Sequence, residues 1–258
     1  MTAGNTSNQN RVLVACGFRG SGKTTYVQNI LKKQSNIIVY DPNEDEAYSW
    51  IPNTVHSLAE LQEFIEWCRT NNKQFLAVRY VPEEDESGSL FDDANEFCRL
   101  VWEGQNLWVV FEEVHQIANT ASPASMPPAL RKIINRGRHR NISVMVTAIR
   151  VSEIPTPIRA GANTFVIFHT AEPIDVKELL KRIGSEATDE VMRLEEHQAV
   201  VFDVGTRSYF IADSYGETLS EIRGGFETCN SNEREETEPL RSGSDNRIVY
   251  FRKKGEIS

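Results

Sequence analysis

Gly17-Phe18-Arg19-Gly20-Ser21-Gly22-Lys23-Thr24 satisfies GxxxxGK[ST] at every defined position. Before it stands Val12-Leu13-Val14-Ala15-Cys16, an apolar run with the pattern of a buried strand, and after it a helical pattern runs toward Lys33. Strand, glycine-rich loop and helix in this order are what a triphosphate-binding loop, the Walker A element, requires. Glycines let the backbone wrap closely enough for its N–H groups to converge on phosphate oxygens. The helix start adds the positive end of its dipole, Lys23 neutralises the terminal phosphates, and the Thr24 hydroxyl can ligate magnesium. Gly17, Arg19, Gly20, Ser21, Gly22, Lys23, Thr24 and Thr25 are therefore the expected nucleotide-binding residues, with ATP and Mg2+ as cofactors. The competing reading is a glycine-rich turn followed by an incidental lysine; the flanking strand and helix weigh against it.

Outward from the loop, apolar runs of strand length alternate with helical patterns, the signature of a parallel sheet covered by helices. Expected strands are Arg11–Cys16, Asn36–Tyr40, Gln74–Tyr80, Leu107–Phe111, Ile142–Ala148 and Thr164–Phe168. They carry too few polar interruptions to face water, so they belong in the centre of the sheet. Expected helices are Lys23–Lys33, Ser57–Asn71, Ser89–Trp102, Pro128–Arg138, Ile174–Ile183 and Asp189–Leu194, the second introduced by the capping signature Ser57 with Glu60. Gln198–Asp203 and Ser208–Ala212 flank Gly205-Thr206-Arg207 and read as a hairpin. The expected fold class is α/β, a P-loop NTPase with a mainly parallel central sheet flanked by helices and a C-terminal hairpin.

A phosphate loop that hydrolyses its ligand needs acid at the end of a neighbouring strand. Leu107-Trp108-Val109-Val110-Phe111-Glu112-Glu113 supplies two carboxylates in succession, a Walker B arrangement. Glu112 is the expected magnesium ligand, in a place where Asp is commoner, and Glu113 the expected group that orients and polarises the attacking water. Acids that simply end a strand at the solvent boundary are the bland alternative, which the preceding phosphate loop outweighs. Activation of water indicates hydrolysis used to drive motion, and hence work on a polymer.

Composition bounds the rest. The chain has 258 residues, 40% apolar and 25% charged, enough for one main domain with a sizeable core. No apolar run approaches the roughly 20 residues that cross a bilayer. Met1 to Asn10 are polar and read as a flexible arm, residues 11–225 as the ATPase domain, and residues 226–258 as a polar tail, disordered or partner-docking. Within the tail, Ile248-Val249-Tyr250-Phe251 could dock onto a neighbouring subunit; a strand on its own domain or a solvated end is the plainer expectation. Cys16, Cys68, Cys98 and Cys229 lack metal or disulfide spacing, which fits a reducing cytoplasm. The net charge of −9 would count against nucleic acid, but Arg131, Lys132, Arg136, Arg138 and Arg140 place five cations in ten residues. One surface can be basic on an acidic protein.

Taken together, these residues resemble the HerA–FtsK superfamily of ring-forming DNA-pumping ATPases, which includes viral genome-packaging ATPases and Zot-like assembly proteins. Besides the loop and the Glu112-Glu113 pair, the resemblance rests on Glu113-Val114-His115 and on Asn135-Arg136-Gly137-Arg138-His139-Arg140-Asn141 before the next strand. It continues through Thr147-Ala148-Ile149-Arg150, Ile154-Pro155 and Ile158-Arg159 to Ile167-Phe168-His169, and Tyr40-Asp41-Pro42 is similar to the family's second strand. It implies a P-loop fold of the additional-strand, RecA-like kind and a homo-oligomeric ring, hexameric or pentameric, acting on double-stranded DNA. A capsid or portal vertex protein would anchor it, in the host cytoplasm and also in the virion.

The resemblance also implies an arginine offered to the neighbour's terminal phosphate. Arg138 is the first choice, Arg136 and Arg140 its rivals. The same segment could instead line a pore against DNA phosphates, or be an ordinary solvated helix end, since Leu130, Ile133, Ile134 and Gly137 share the opposite face. Where many members place a phosphate-sensing glutamine this sequence has Ile149, so the sensor falls to Thr147 first and Arg150 second. His115 is a further candidate, as a relay between ATP and DNA. The compact chain favours a packaging motor over repair helicases with added domains and over membrane-anchored assembly proteins. Outside this family stand a small-molecule kinase, which Glu113 argues against, and a GTPase-type switch, whose guanine clamp is absent: Asn72-Lys73-Gln74-Phe75 lacks its aspartate.

Overall fold

The computed structural model describes residues 11–71, 76–83, 90–120 and 125–224. The arm at 1–10, the tail at 226–258, Cys229 and the Asn72–Phe75 string lie outside the described residues.

Its centre is a sheet built from β1 (Val12–Cys16), β2 (Asn36–Tyr40), β3 (Thr54–Val55), β4 (Leu76–Tyr80), β5 (Leu107–Phe111), β6 (Ile142–Ala148), β7 (Thr164–Phe168), β8 (Gln198–Asp203), β9 (Ser208–Asp213) and β10 (Arg223–Gly224). The order is β10-β9-β8-β7-β1-β6-β5-β2-β4-β3. Neighbours from β7 through β3 are parallel, and β8, β9 and β10 add on antiparallel. Two short strands, β3 and β10, carried no legible sequence pattern. The helices are α1 (Lys23–Leu31), α2 (Leu58–Thr70), α3 (Leu90–Glu103), α4 (Pro128–Arg136), α5 (Thr156–Gly161) and α6 (Pro173–Arg193).

Both faces of the parallel strands are covered. In β1, Val12 and Val14 join one core cluster while Leu13 and Ala15 join the other, so every residue of the strand is buried. This is why the run reads as continuously apolar rather than alternating. On the first face an aromatic group of Tyr40, Tyr80, Phe97 and Phe111 ties α3 to the sheet, and the Asp93 carboxylate accepts from both the Tyr40 and Tyr80 hydroxyls. Ser57 caps α2 by accepting from the Glu60 N–H at 3.2 Å. The helices expected at 174–183 and 189–194 form one element broken at Gly184, whose φ of 83° interrupts the helical backbone. Only glycine adopts such a conformation without strain.

Parallel strands share one direction, so the ends of β1, β2, β5, β6 and β7 emerge at one edge of the sheet. The phosphate loop, Asp41, Glu112 and Thr147 all lie there. The start of β6 lies at the opposite edge, where Asn106 N–H donates to the Arg140 carbonyl at 2.9 Å and Leu107 N–H to that of Asn141 at 3.2 Å.

Candidate nucleotide-binding site

β1 delivers the chain into the phosphate loop beside β7: a Cβ on Gly17 would stand 2.7 Å from Phe168 Cβ, so only glycine fits. Gly22 begins α1 with φ 102°, and a Cβ there would meet Ser214 Cβ at 2.5 Å. No side chain caps α1 at this residue, which leaves first-turn N–H groups for an anion. Ser21 Oγ is buried with no hydrogen-bond partner among the described residues, a donor that a phosphate oxygen would satisfy. Lys23 is buried at 6% exposure, and Thr24 projects toward β5.

The Thr24 hydroxyl donates to Glu112 Oε1 at 3.0 Å, and Tyr48 OH donates to Glu112 Oε2 at 2.8 Å. Burial pushes the Glu112 carboxyl up to about 7, opposed by hydrogen bonds from Tyr48, Thr147 and Thr24 and by the charge of Lys23. A buried carboxylate beside a hydroxyl is a hard, all-oxygen donor pair. No cluster of three or more His, Cys, Asp or Glu side chains capable of holding a metal exists among the described residues. These residues fit Mg2+, which takes one or two protein ligands and fills its shell with phosphate and water oxygens.

Glu113 follows in a left-handed conformation, φ 47° and ψ 58°, that costs a non-glycine residue about 1 kcal/mol or more. Its N–H donates to Thr147 Oγ1 at 2.8 Å, which holds that backbone in place from β6. Its Oε2 accepts from Gln116 Nε2 at 3.3 Å and lies 3.6 Å from His115 Nε2. Gln116 Nε2 also donates to Asn43 Oδ1 at 2.8 Å. Thr147 therefore meets Glu113 through its backbone rather than facing open space.

The far wall grows from β2. Asp41 and Arg79 form a buried ion pair at 2.7 Å, and Asp41 also accepts from the N–H groups of Asn43 at 3.3 Å and Asp45 at 3.0 Å. Asp45 caps the short turn at Glu46–Tyr48 by accepting from Ala47 N–H at 2.9 Å, and that turn brings Tyr48 to Glu112. The result is a cleft of about 410 Å³ lined by Arg19, Gly20, Lys23, Thr24, Asn43, Asp45, Glu112 and Glu113. A second lobe of about 460 Å³ opens off the same loop toward β9.

Sequence reasoning missed Tyr48, Asn43 and Gln116. The spacing of Gln116 three residues after Glu113 was available as a signal; nothing in the sequence pointed Tyr48 at Glu112. Arg138 and Arg136 are exposed at the opposite edge of the sheet and do not join the cleft of their own chain. Arg140 stacks over Trp102 at 5.0 Å, with Lys132 over the same ring at 4.1 Å. Arg150 is exposed, 3.9 Å from Glu172.

No family model matches the sequence, and no curated protein matches it. Solved structures do. The genome packaging NTPase B204 of Sulfolobus turreted icosahedral virus 2, in complex with AMP, matches with TM-score 0.62 and 19% identity over 79% of this chain and 97% of that one. B204 of Sulfolobus turreted icosahedral virus, described as a DNA-packaging ATPase, matches with TM-score 0.58 and 21% identity over 80% and 98%. VirB4 of Thermoanaerobacter pseudethanolicus matches with TM-score 0.51 and 9% identity over 79% and 89%. The chain has the P-loop fold of these proteins, with a mostly parallel sheet continued by antiparallel C-terminal strands.

Proposed function

We propose that the chain is an ATP-hydrolysing, DNA-translocating motor of the HerA–FtsK superfamily that packages a viral genome into a preformed capsid as a homo-oligomeric ring. The observation that carries the reading is the placement of Glu113. Its backbone is pinned by Thr147, and its carboxylate lines the same cleft as Lys23, Thr24 and Glu112. The likeness in fold to packaging NTPases supports the choice of cargo.

In this reading the backbone N–H groups of the loop and the Lys23 ammonium bind the β- and γ-phosphates. Magnesium, when bound with the nucleotide, neutralises charge developing on the phosphate oxygens. Thr24 and Glu112 would hold it, and Tyr48 keeps the Glu112 carboxylate turned so that Oε1 faces Thr24. Glu113 takes a proton from the attacking water, a contribution of about a hundredfold to ten-thousandfold in rate. Arg138 of one subunit reaches the neighbour's terminal phosphate, which accords with its exposure far from its own loop. The basic edge around Arg136 and Arg138 is also the surface most suited to DNA phosphates.

The test compares ATP hydrolysis with and without double-stranded DNA, alongside sizing by light scattering. Strong stimulation in a ring-sized assembly is expected. A monomer indifferent to DNA that phosphorylates a small acceptor would instead be a kinase, and the motor reading would fall.

A further inference from the structure

The two lobes that open off the phosphate loop share Gly20, Lys23, Thr24 and Asp45. The first continues to Glu112 and Glu113, the hydrolytic end. The second continues past Thr25, one residue further into α1, to Ala47, His197, Asp213, Ser214 and Tyr215. A triphosphate with its terminal group at Glu113 and its middle group at Lys23 must leave through the second lobe. We infer that the base and ribose of the nucleotide occupy this lobe, with the base stacked on Tyr215.

The lobe is a built feature of the antiparallel strands. Ser214 is packed so closely on Gly22 that no Cβ fits between them, and His197 Nδ1 lies 3.4 Å from the Ser21 carbonyl. The hairpin of β8 and β9 is thus seated directly on the phosphate loop. Asp213 Oδ1 accepts from the N–H groups of Tyr215 at 2.9 Å and Glu217 at 2.8 Å, which fixes the turn that presents Tyr215. Tyr215 itself is 65% exposed, a large aromatic surface next to a binding cleft. Its volume of about 460 Å³ suits a nucleoside. An aromatic face stacks on any base, so Tyr215 would supply affinity rather than strict discrimination.

This inference rests on the reading of Gly17–Thr24 as a triphosphate loop, and the experiment separates the two. Calorimetry would measure binding of ATP and of inorganic tripolyphosphate, each with magnesium, to the full chain. Tyr215→Ala is expected to weaken ATP about tenfold or more and to leave tripolyphosphate unchanged, while Tyr215→Phe keeps wild-type affinity for both. Ala47→Phe, which fills the lobe without touching the stack, should likewise weaken ATP alone. ATP affinity within twofold of wild type in both Tyr215→Ala and Ala47→Phe would overturn the inference, as would equal binding of ATP and tripolyphosphate by the wild type. If the wild type binds neither, or Lys23→Ala retains tripolyphosphate, the phosphate-loop reading fails and takes this one with it.

Discussion

The two edges of the sheet carry charge in opposite styles. At the edge where the parallel strands end, Lys23, Thr24, Glu112, Glu113 and Thr147 are buried or half-buried, and hydrogen bonds of 2.8 to 3.0 Å join Thr24 and Tyr48 to Glu112 and Glu113 to Thr147 within one chain. At the edge where β6 begins, Arg136 and Arg138 are exposed, whereas Lys132 and Arg140 lie over the ring of Trp102. The first edge is pre-organised: its polar groups have already lost their water and are held in position by one another. The second is unfinished, because exposed guanidinium groups gain little until a second negatively charged surface arrives. A cleft can be organised inside one chain; a surface of exposed cations calls for a partner.

The largest expected effect exploits this contrast. Arg138→Ala should lower assembled-ring ATPase about a thousandfold or more, and Glu113→Gln should lower it at least a hundredfold while retaining nucleotide. Mixing the two inactive variants should restore activity, because an interface that pairs an intact Glu113 cleft with an intact Arg138 reappears. A mixture as inactive as its components would show that both residues act within one subunit. Full activity of Glu113→Gln alone would remove its assigned role.

A second expectation concerns Glu112 and pH. Its carboxyl rises from 4.5 to about 7 on folding, which corresponds to about 3 kcal/mol. The unfolded chain ionises this group near pH 4.5, while the folded one keeps its proton until near pH 7. Between those values the folded state binds more protons, so its stability falls as pH rises and stays lower above pH 7. Denaturant titrations of nucleotide-free protein at pH 5 and pH 8 should show a loss that Glu112→Gln largely removes. An unchanged slope in Glu112→Gln would mean that the group is ionised throughout.

The smallest effect belongs to the other edge. Arg140→Ala should cost about 0.5–1 kcal/mol in stability through loss of the contact with Trp102, and leave hydrolysis intact. A loss of hydrolysis comparable to that of Arg138→Ala would transfer the trans role to Arg140. The stacking on Trp102 already narrows the choice among the three arginines, because Arg140 is engaged while Arg136 and Arg138 remain exposed.

The sequence by itself determined the parallel strands other than the short β3, the phosphate loop and the acid pair at the end of β5. These signals are local: burial on both faces makes β1 apolar throughout and β6 apolar but for Ser143 and Thr147, and a loop that wraps phosphate must have glycine where φ is positive or a Cβ would collide. The hairpin at 198–212 was legible for the same reason, as two apolar runs around a turn. Only the tertiary structure decided what these elements face. Tyr48 reaches Glu112 across 64 residues of chain, Asp41 meets Arg79 across 38, and His197 meets Ser21 across 176. Such contacts leave no mark on spacing, because the order of strands in the sheet brings them together. The seat of the hairpin on Gly22, and with it the second lobe beside the phosphate loop, exists only once β8 and β9 have been laid beside β7.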